Sequence, residues 1–183
     1  YSILESIVRQ SFATVVWTHK IQEKQGDIDA EQYHWMEVAN IVCASLTSAG
    51  IIGSIFSNET ILKIFTALIS FVTIFCGAYF KSFNVQDSIA KHRATAHKLV
   101  AIRNQLVALL ADLKLRHKPV EVLSEEYKAI LTDLHTIYAE APSTTAKAVD
   151  KAREALVIKQ DYTFTDDEID RFLPAELQKG EKE

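Results

Sequence analysis

Two stretches decide the fold: Val38–Ser57, VANIVCASLTSAGIIGSIFS, and Ile61–Phe80, ILKIFTALISFVTIFCGAYF. The first has 20 residues and no charge; the second has 20 and one charge, Lys63, near its start. At about 1.5 Å rise per residue, a helix of that length covers roughly 30 Å, the hydrocarbon thickness of a bilayer. Only Asn58-Glu59-Thr60 separates them, so the two helices must run antiparallel. Both are apolar on nearly all sides, whereas a helix in a soluble core keeps a polar stripe. Lys63 lies within one turn of the end, where it snorkels to the headgroups. The stretch reads as a membrane hairpin.

Working outward, the flanking arms are rich in Lys, Glu, Asp and Gln. The net charge of −4 and mean hydropathy of +0.02 therefore average two regimes. No basic excess points to nucleic acid. Lys20 and Lys24 precede the first span and Lys81, Lys91, Arg93 and Lys98 follow the second. That bias predicts a multi-pass protein with both termini cytoplasmic. Cys43 and Cys76 fall inside the spans at similar depth and read as small apolar residues.

The arm before the hairpin carries Ile3, Leu4, Ile7, Val8, Phe12, Val15 and Val16 at helical spacing. Gly26-Asp27 and the cluster around Asp29 read as a break. Tyr33 and Trp35 lie where an aromatic interfacial belt is expected. After the hairpin, Ile89, Ala96, Arg103 and Leu110 share one heptad position and His92, Leu99, Leu106 and Leu113 the other. His92 and Arg103 are the polar exceptions in that seam and candidates for fixing register or gating. Pro119 ends this helix. A second seam, Leu123, Tyr127, Ile130, Leu134, Ile137 and Ala141, predicts an antiparallel partner. Ser143 is the expected cap of a third helix over residues 144–159, and Asp166 or Asp167 of a short last one ending at Leu173-Pro174.

The expectation is an all-α chain: one domain, residues 1–183, with an N-terminal cytoplasmic helix (1–36), a transmembrane hairpin (37–80) and long cytoplasmic helices (81–183). Those helices form a helical bundle or coiled-coil assembly.

Within the hairpin, Ser45, Ala49 and Gly53 step by four, as small residues do where helix backbones approach closely in lipid, and Gly77 is a further packing candidate. Asn40, Thr47 and Ser54 step by seven, and Thr66, Ser70 and Thr73 follow on the second span. These hydroxyls either bond back to their own helix carbonyls or line a pore. Two helices enclose no pore alone, so the pore reading requires a homo-oligomer, with Glu59 and Lys63 at its mouth and four as the guessed subunit number. No phosphate loop, metal-spaced Cys pair or Gly-x-Ser-x-Gly is present. His92 and His97 point to different helix faces. Neither an enzyme nor a cofactor is expected.

Trp17-Thr18-His19-Lys20-Ile21-Gln22-Glu23-Lys24 before the first span, the tight hairpin, and Ala90-Lys91-His92-Arg93-Ala94-Thr95-Ala96-His97-Lys98-Leu99 followed by Arg103 resemble one known pattern. It is that of the SLATT family, two-transmembrane effector domains associated with SMODS nucleotidyltransferases and SLOG sensors. The resemblance covers nearly the whole chain. It implies a membrane effector of a prokaryotic antiphage conflict system that opens a pore and stops growth or kills the cell. It also implies a trigger from outside the domain: a sensor protein or a nucleotide second messenger such as a cyclic nucleotide. The competing expectation is a non-conducting scaffold or signalling adaptor that the hairpin merely anchors in the lipid bilayer.

Overall fold

The computed structural model describes residues 1–56, 59–174 and 178, with backbone alone at residue 54 and at residues 80–83. Every regular element among them is helical: α1 (Ser2–Phe56), α2 (Thr60–Phe83), α3 (Val85–Leu115), α4 (Val120–Glu140), α5 (Ala146–Arg153) and α6 (Asp166–Asp170). A π-helical turn, Glu154–Ile158, extends α5.

The expected break at Gly26-Asp27 does not exist. α1 is a single helix of 55 residues, roughly 80 Å long. A heptad explains its continuity. Val8, Val15, Gln22, Asp29, Met36, Cys43 and Gly50 step by seven, and so do Phe12, His19, Gly26, Tyr33, Asn40 and Thr47. All thirteen are buried or half-buried. One seam thus runs through the N-terminal arm and into the first apolar span. Gly26 is a close-packing residue rather than a turn: a Cβ there would sit 3.5 Å from the Arg93 and His92 side chains of α3.

The seam faces α2 and α3 as though they were one rod. Tyr1 lies against Arg116, Gln22 meets His92, Tyr33 meets Gln86, Gly50 meets Thr66 and Gly53 meets Leu62. As α1 advances along the chain, its partner retreats at nearly the same rate. The antiparallel register therefore crosses the α2–α3 junction without a slip. That junction is one residue, Asn84, in the left-handed conformation (φ 43°, ψ 48°), which asparagine tolerates better than most residues.

In the half away from the hairpin, α4 folds back on α3 and α1. Leu99, Ile102, Leu106, Leu109 and Leu113 of α3 bury against Leu123, Tyr127, Ile130, Leu134 and Ile137 of α4 and Val8 and Val15 of α1. The α4 seam is as expected from its spacing. On α3 the buried set is His92, Thr95, Leu99, Ile102, Leu106, Leu109 and Leu113. So Thr95, Ile102 and Leu109 hold the second seam position, which the sequence reading gave to Ile89, Arg103 and Leu110. Those three are half-buried at the seam's edge. Ala96 is buried on the shared flank.

Lys118 bridges Asp112 (2.8 Å) and Glu126 (2.9 Å) at the α3–α4 corner. α5 lies on α1 through Ala148 and Ala152, followed by Ala155 in the π-turn, small enough for close approach. Two caps differ from expectation. Thr145, not Ser143, caps α5, because its hydroxyl and N–H also donate to Gln25 at 2.8 and 2.9 Å. Thr165, not an aspartate, caps α6 in a reciprocal box with Glu168.

Candidate functional site

The seam changes chemistry along its length. The end remote from the hairpin is aliphatic and the hairpin end small and hydroxylated. Between them lies a buried polar layer formed by His19, Lys20, Gln22 and Gln25 of α1 and His92 and Thr95 of α3. These residues come from the Trp17–Lys24 and Ala90–Leu99 motifs and from the residue just past the first of them.

His92, 2% exposed, has its Nδ1 2.6 Å from Gln22 Oε1. Its Nε2 faces the Asp29 carboxylate at 3.8 Å. Asp29 accepts from Gln25 at 2.7 Å and from Ser88 at 3.3 Å. The Gln22 amide donates to Pro142 O at 3.1 Å. Gln25 accepts from Thr145 as well, so both glutamines hold the chain between α4 and α5 against the rod pair. On the next turn, Tyr162 OH lies 3.0 Å from His19 Nδ1 and donates to Glu23 at 3.2 Å. Lys20, 4% exposed, bridges Asp161 (3.1 Å) and Glu23 (3.3 Å) and lies 4.7 Å from the Tyr162 ring centre.

Burial disfavours charge on both histidines and holds each below the ordinary imidazole pKa, with Glu23 opposing at His19 and Asp29 opposing at His92. Burial also works against the Lys20 ammonium. The Asp161 hydrogen bond and the Glu23 carboxylate outweigh it and hold Lys20 above its ordinary value. Burial, then Glu23, pushes the Tyr162 phenol up. The layer is therefore built around two neutral imidazoles and one charged lysine.

Two openings flank it. A small cavity of about 200 Å³ lies on the membrane side, lined by Asp29, Tyr33, Met36, Tyr79 and Ser88 among others. On the side away from the hairpin an open cleft of about 840 Å³ runs between α1, α3 and the Asp161–Phe164 segment. Arg103 lines it, its guanidinium 5.4 Å from the Tyr162 ring centre.

In the hairpin the half-buried residues are Asn40, Cys43, Thr47, Gly50 and Gly53 of α1 and Leu62, Thr66, Ile69, Ser70, Thr73 and Cys76 of α2. Their three- and four-residue steps place them on the facing sides of the pair. Thr47, Thr66 and Thr73 hydroxyls donate to the carbonyls four residues back. Asn40 Oδ1 is buried with no hydrogen-bond partner among the described residues. Ser45 and Ala49 point outward, and Gly77 has nothing within reach of an added Cβ. The tight approach is at Gly50, where a Cβ would run into the Thr66 hydroxyl. Glu59 precedes α2 and Lys63 is exposed in its first turn; the Ser54 side chain lies outside the described residues. Both spans present bulky apolar side chains outward, among them Ile41, Leu46, Ile52, Phe65, Phe71 and Phe75. No metal-binding cluster occurs among the described residues.

A profile described as the SMODS and SLOG-associating 2TM effector domain family 4 matches residues 4–168. The chain belongs to this SLATT family. The match takes in α1, the hairpin, the polar layer and the segment carrying Tyr162. SLATT membership and the two outward-apolar helices together make this a two-transmembrane effector domain associated with conflict systems. No curated protein and no solved structure matches the chain. Sequence reasoning had placed His92 in the α3 heptad seam but missed what the layer brings together: Gln22 and Asp29 beside His92, Gln25 beside Asp29, and Tyr162 beside His19. The seven-residue step from Val8 through Gln22 to Asp29 was the signal for two of the α1 partners. Nothing local marks Tyr162, which arrives from a distant segment.

Proposed function

We propose that this SLATT chain is an effector of a prokaryotic antiphage system whose homo-oligomer opens a pore in the inner membrane, both termini cytoplasmic. Opening arrests growth or kills the cell, and a sensor protein or nucleotide second messenger supplies the trigger. The observation that carries this reading is the segregation of the hairpin. Asn40, Thr47, Gly50, Thr66, Ser70 and Thr73 face inward, while the bulky side chains of its outer surface are aliphatic and aromatic, with small residues such as Ser45 and Ala49 among them. Copies assembled in this conformation, a tetramer for instance, would enclose an apolar lumen, which blocks ions by dewetting. Conduction then requires α1 and α2 to turn or part, so that Asn40, Thr47, Thr66, Ser70 and Thr73 meet the lumen. α1 supports the coupling: one unbroken helix carries the polar layer and the first span.

Ion flux from liposomes tests the proposal. The register sets Cys43 level with about Thr73, and Cys76 level with about Asn40, one turn apart on the same seam. A bifunctional thiol reagent joining Cys43 to Cys76 pins the seam shut. Triggered flux should vanish on cross-linking and survive the same reagent in Cys76→Ala. An oligomer that never conducts under any trigger refutes the pore. The inward polar stripe equally suits a hairpin that only anchors its arms. On that reading, spans replaced by unrelated apolar helices keep full activity.

A further inference from the structure

The cleft beside the polar layer is built for a ligand. Its volume, about 840 Å³, lies in the range that accommodates drug-sized molecules. Its walls are mostly apolar, with aromatic rings from two separate parts of the chain: Phe12 and Trp17 on α1, and Tyr162 and Phe164 on the C-terminal segment. Flat rings arranged around a slot favour a flat aromatic guest, which stacks on any π-face.

The polar groups converge at one end. Among the described residues Arg103 makes one weak hydrogen bond, to the Asn104 side-chain oxygen at 3.4 Å, and has no carboxylate partner. Tyr162 holds its guanidinium plane from one side. Most of its N–H fork is therefore unspent and opens on an apolar cleft, where a bidentate anion gains most. The cleft's acidic residue, Asp161, is already ion-paired with Lys20 at 3.1 Å. The Asn104 amide and the Trp17 indole N–H are further unspent donors at the wall.

The geometry points to a binding site for a small ligand combining a planar aromatic ring with an anionic group. The ring lies between Trp17 and the Tyr162–Phe164 segment, and the anion sits on Arg103. A nucleoside phosphate and an aromatic carboxylate share this chemistry. The site also has a route inward: Tyr162, which shapes the cleft, bonds to His19 in the polar layer. Its existence does not depend on whether the hairpin conducts.

Isothermal titration of the full chain in detergent tests it, with AMP, adenosine, inorganic phosphate and indole-3-acetate as probes. AMP should bind at least about tenfold tighter than adenosine or phosphate. Arg103→Gln should remove that advantage and leave adenosine unchanged. Ala13→Phe, at an exposed position on the cleft wall, should abolish binding with no change in melting temperature. Indole-3-acetate binding in place of AMP, with the same two dependences, assigns the site to aromatic carboxylates. Silence from both anions at millimolar concentration overturns the proposal. So does phosphate binding as tightly as AMP, or binding that ignores Arg103→Gln and Ala13→Phe.

Discussion

His92 Nδ1 lies 2.6 Å from the Gln22 side-chain oxygen, inside the seam that joins α1 to α3. An amide oxygen only accepts, so this contact puts the proton on Nδ1 and leaves the Nε2 lone pair facing Asp29. The neutral ring is thus bonded on one side and opposed on the other. Burial nonetheless keeps the ring below its ordinary pKa, as it does His19.

A pH dependence with a definite sign results. A base whose folded pKa is depressed binds fewer protons folded than unfolded between the two values. The stability from neutral His19 and His92 is complete above the unfolded pKa, about 6.5. It falls as pH drops from there toward the lower folded values. Thermal melts in detergent should therefore be flat from pH 8 to 7 and decline below pH 6.5. His92→Gln should flatten part of the decline; an unchanged acid limb in that variant sinks the assignment.

Two glycines on α1 should respond oppositely to alanine. At Gly26 the added methyl meets Arg93 and His92 at 3.5 Å, an ordinary contact. Gly26→Ala then gains the usual helix-interior difference, about 0.5–1 kcal/mol. At Gly50 the same methyl strikes the Thr66 side chain, with Thr66 Cγ2 3.1 Å and Cβ 3.2 Å away. Gly50→Ala should lower the melting temperature and loosen the hairpin, seen as slower Cys43–Cys76 cross-linking. Gly50→Ala together with Thr66→Ala should restore it.

These two residues also show what the sequence revealed and what it concealed. Apolar length fixed the hairpin, because an uncharged run of 20 residues has few soluble uses. The α4 seam was legible because Leu123 through Ile137 alternates cleanly. Gly26-Asp27 misled because glycine beside aspartate is a local turn signal, while the seven-residue step that overrides it spans the whole of α1. The α3 seam was misassigned by one position because Ile89, Ala96 and Leu110 share a heptad position with Arg103, and only the partner helices decide which edge is buried. The polar layer joins residues more than a hundred positions apart, such as Gln25 and Thr145. No periodicity reports such a contact.

Asn40 tests the membrane end of the seam. Its Oδ1 is buried without a partner among the described residues, and an unmet buried acceptor costs about 1–3 kcal/mol. Asn40→Leu removes the acceptor at similar volume and should raise the melting temperature of the solubilised protein. If the seam must open to conduct, the same variant should pass less current per triggered oligomer. A variant that melts lower places an unseen partner on the amide.

Tyr162 ties the C-terminal segment to the rods. Its hydroxyl serves His19 Nδ1 at 3.0 Å and Glu23 at 3.2 Å, and its ring lies beside the Lys20 ammonium and the Arg103 guanidinium. Tyr162→Phe keeps the ring, so the contacts to Lys20 and Arg103 survive while both hydrogen bonds are lost. A buried imidazole nitrogen is then left without its partner, at a cost of about 1–3 kcal/mol. The end of the π-turn and the segment that follows it expose Val157, Ile158 and Phe164, and among the described residues they have few other anchors to the rods. Limited proteolysis should therefore cut Tyr162→Phe between residues 157 and 165 faster than the parent chain, with α1–α4 left intact. Equal cutting of both would mean that the hydroxyl holds nothing, and that the Lys20–Asp161 bridge alone pins the segment.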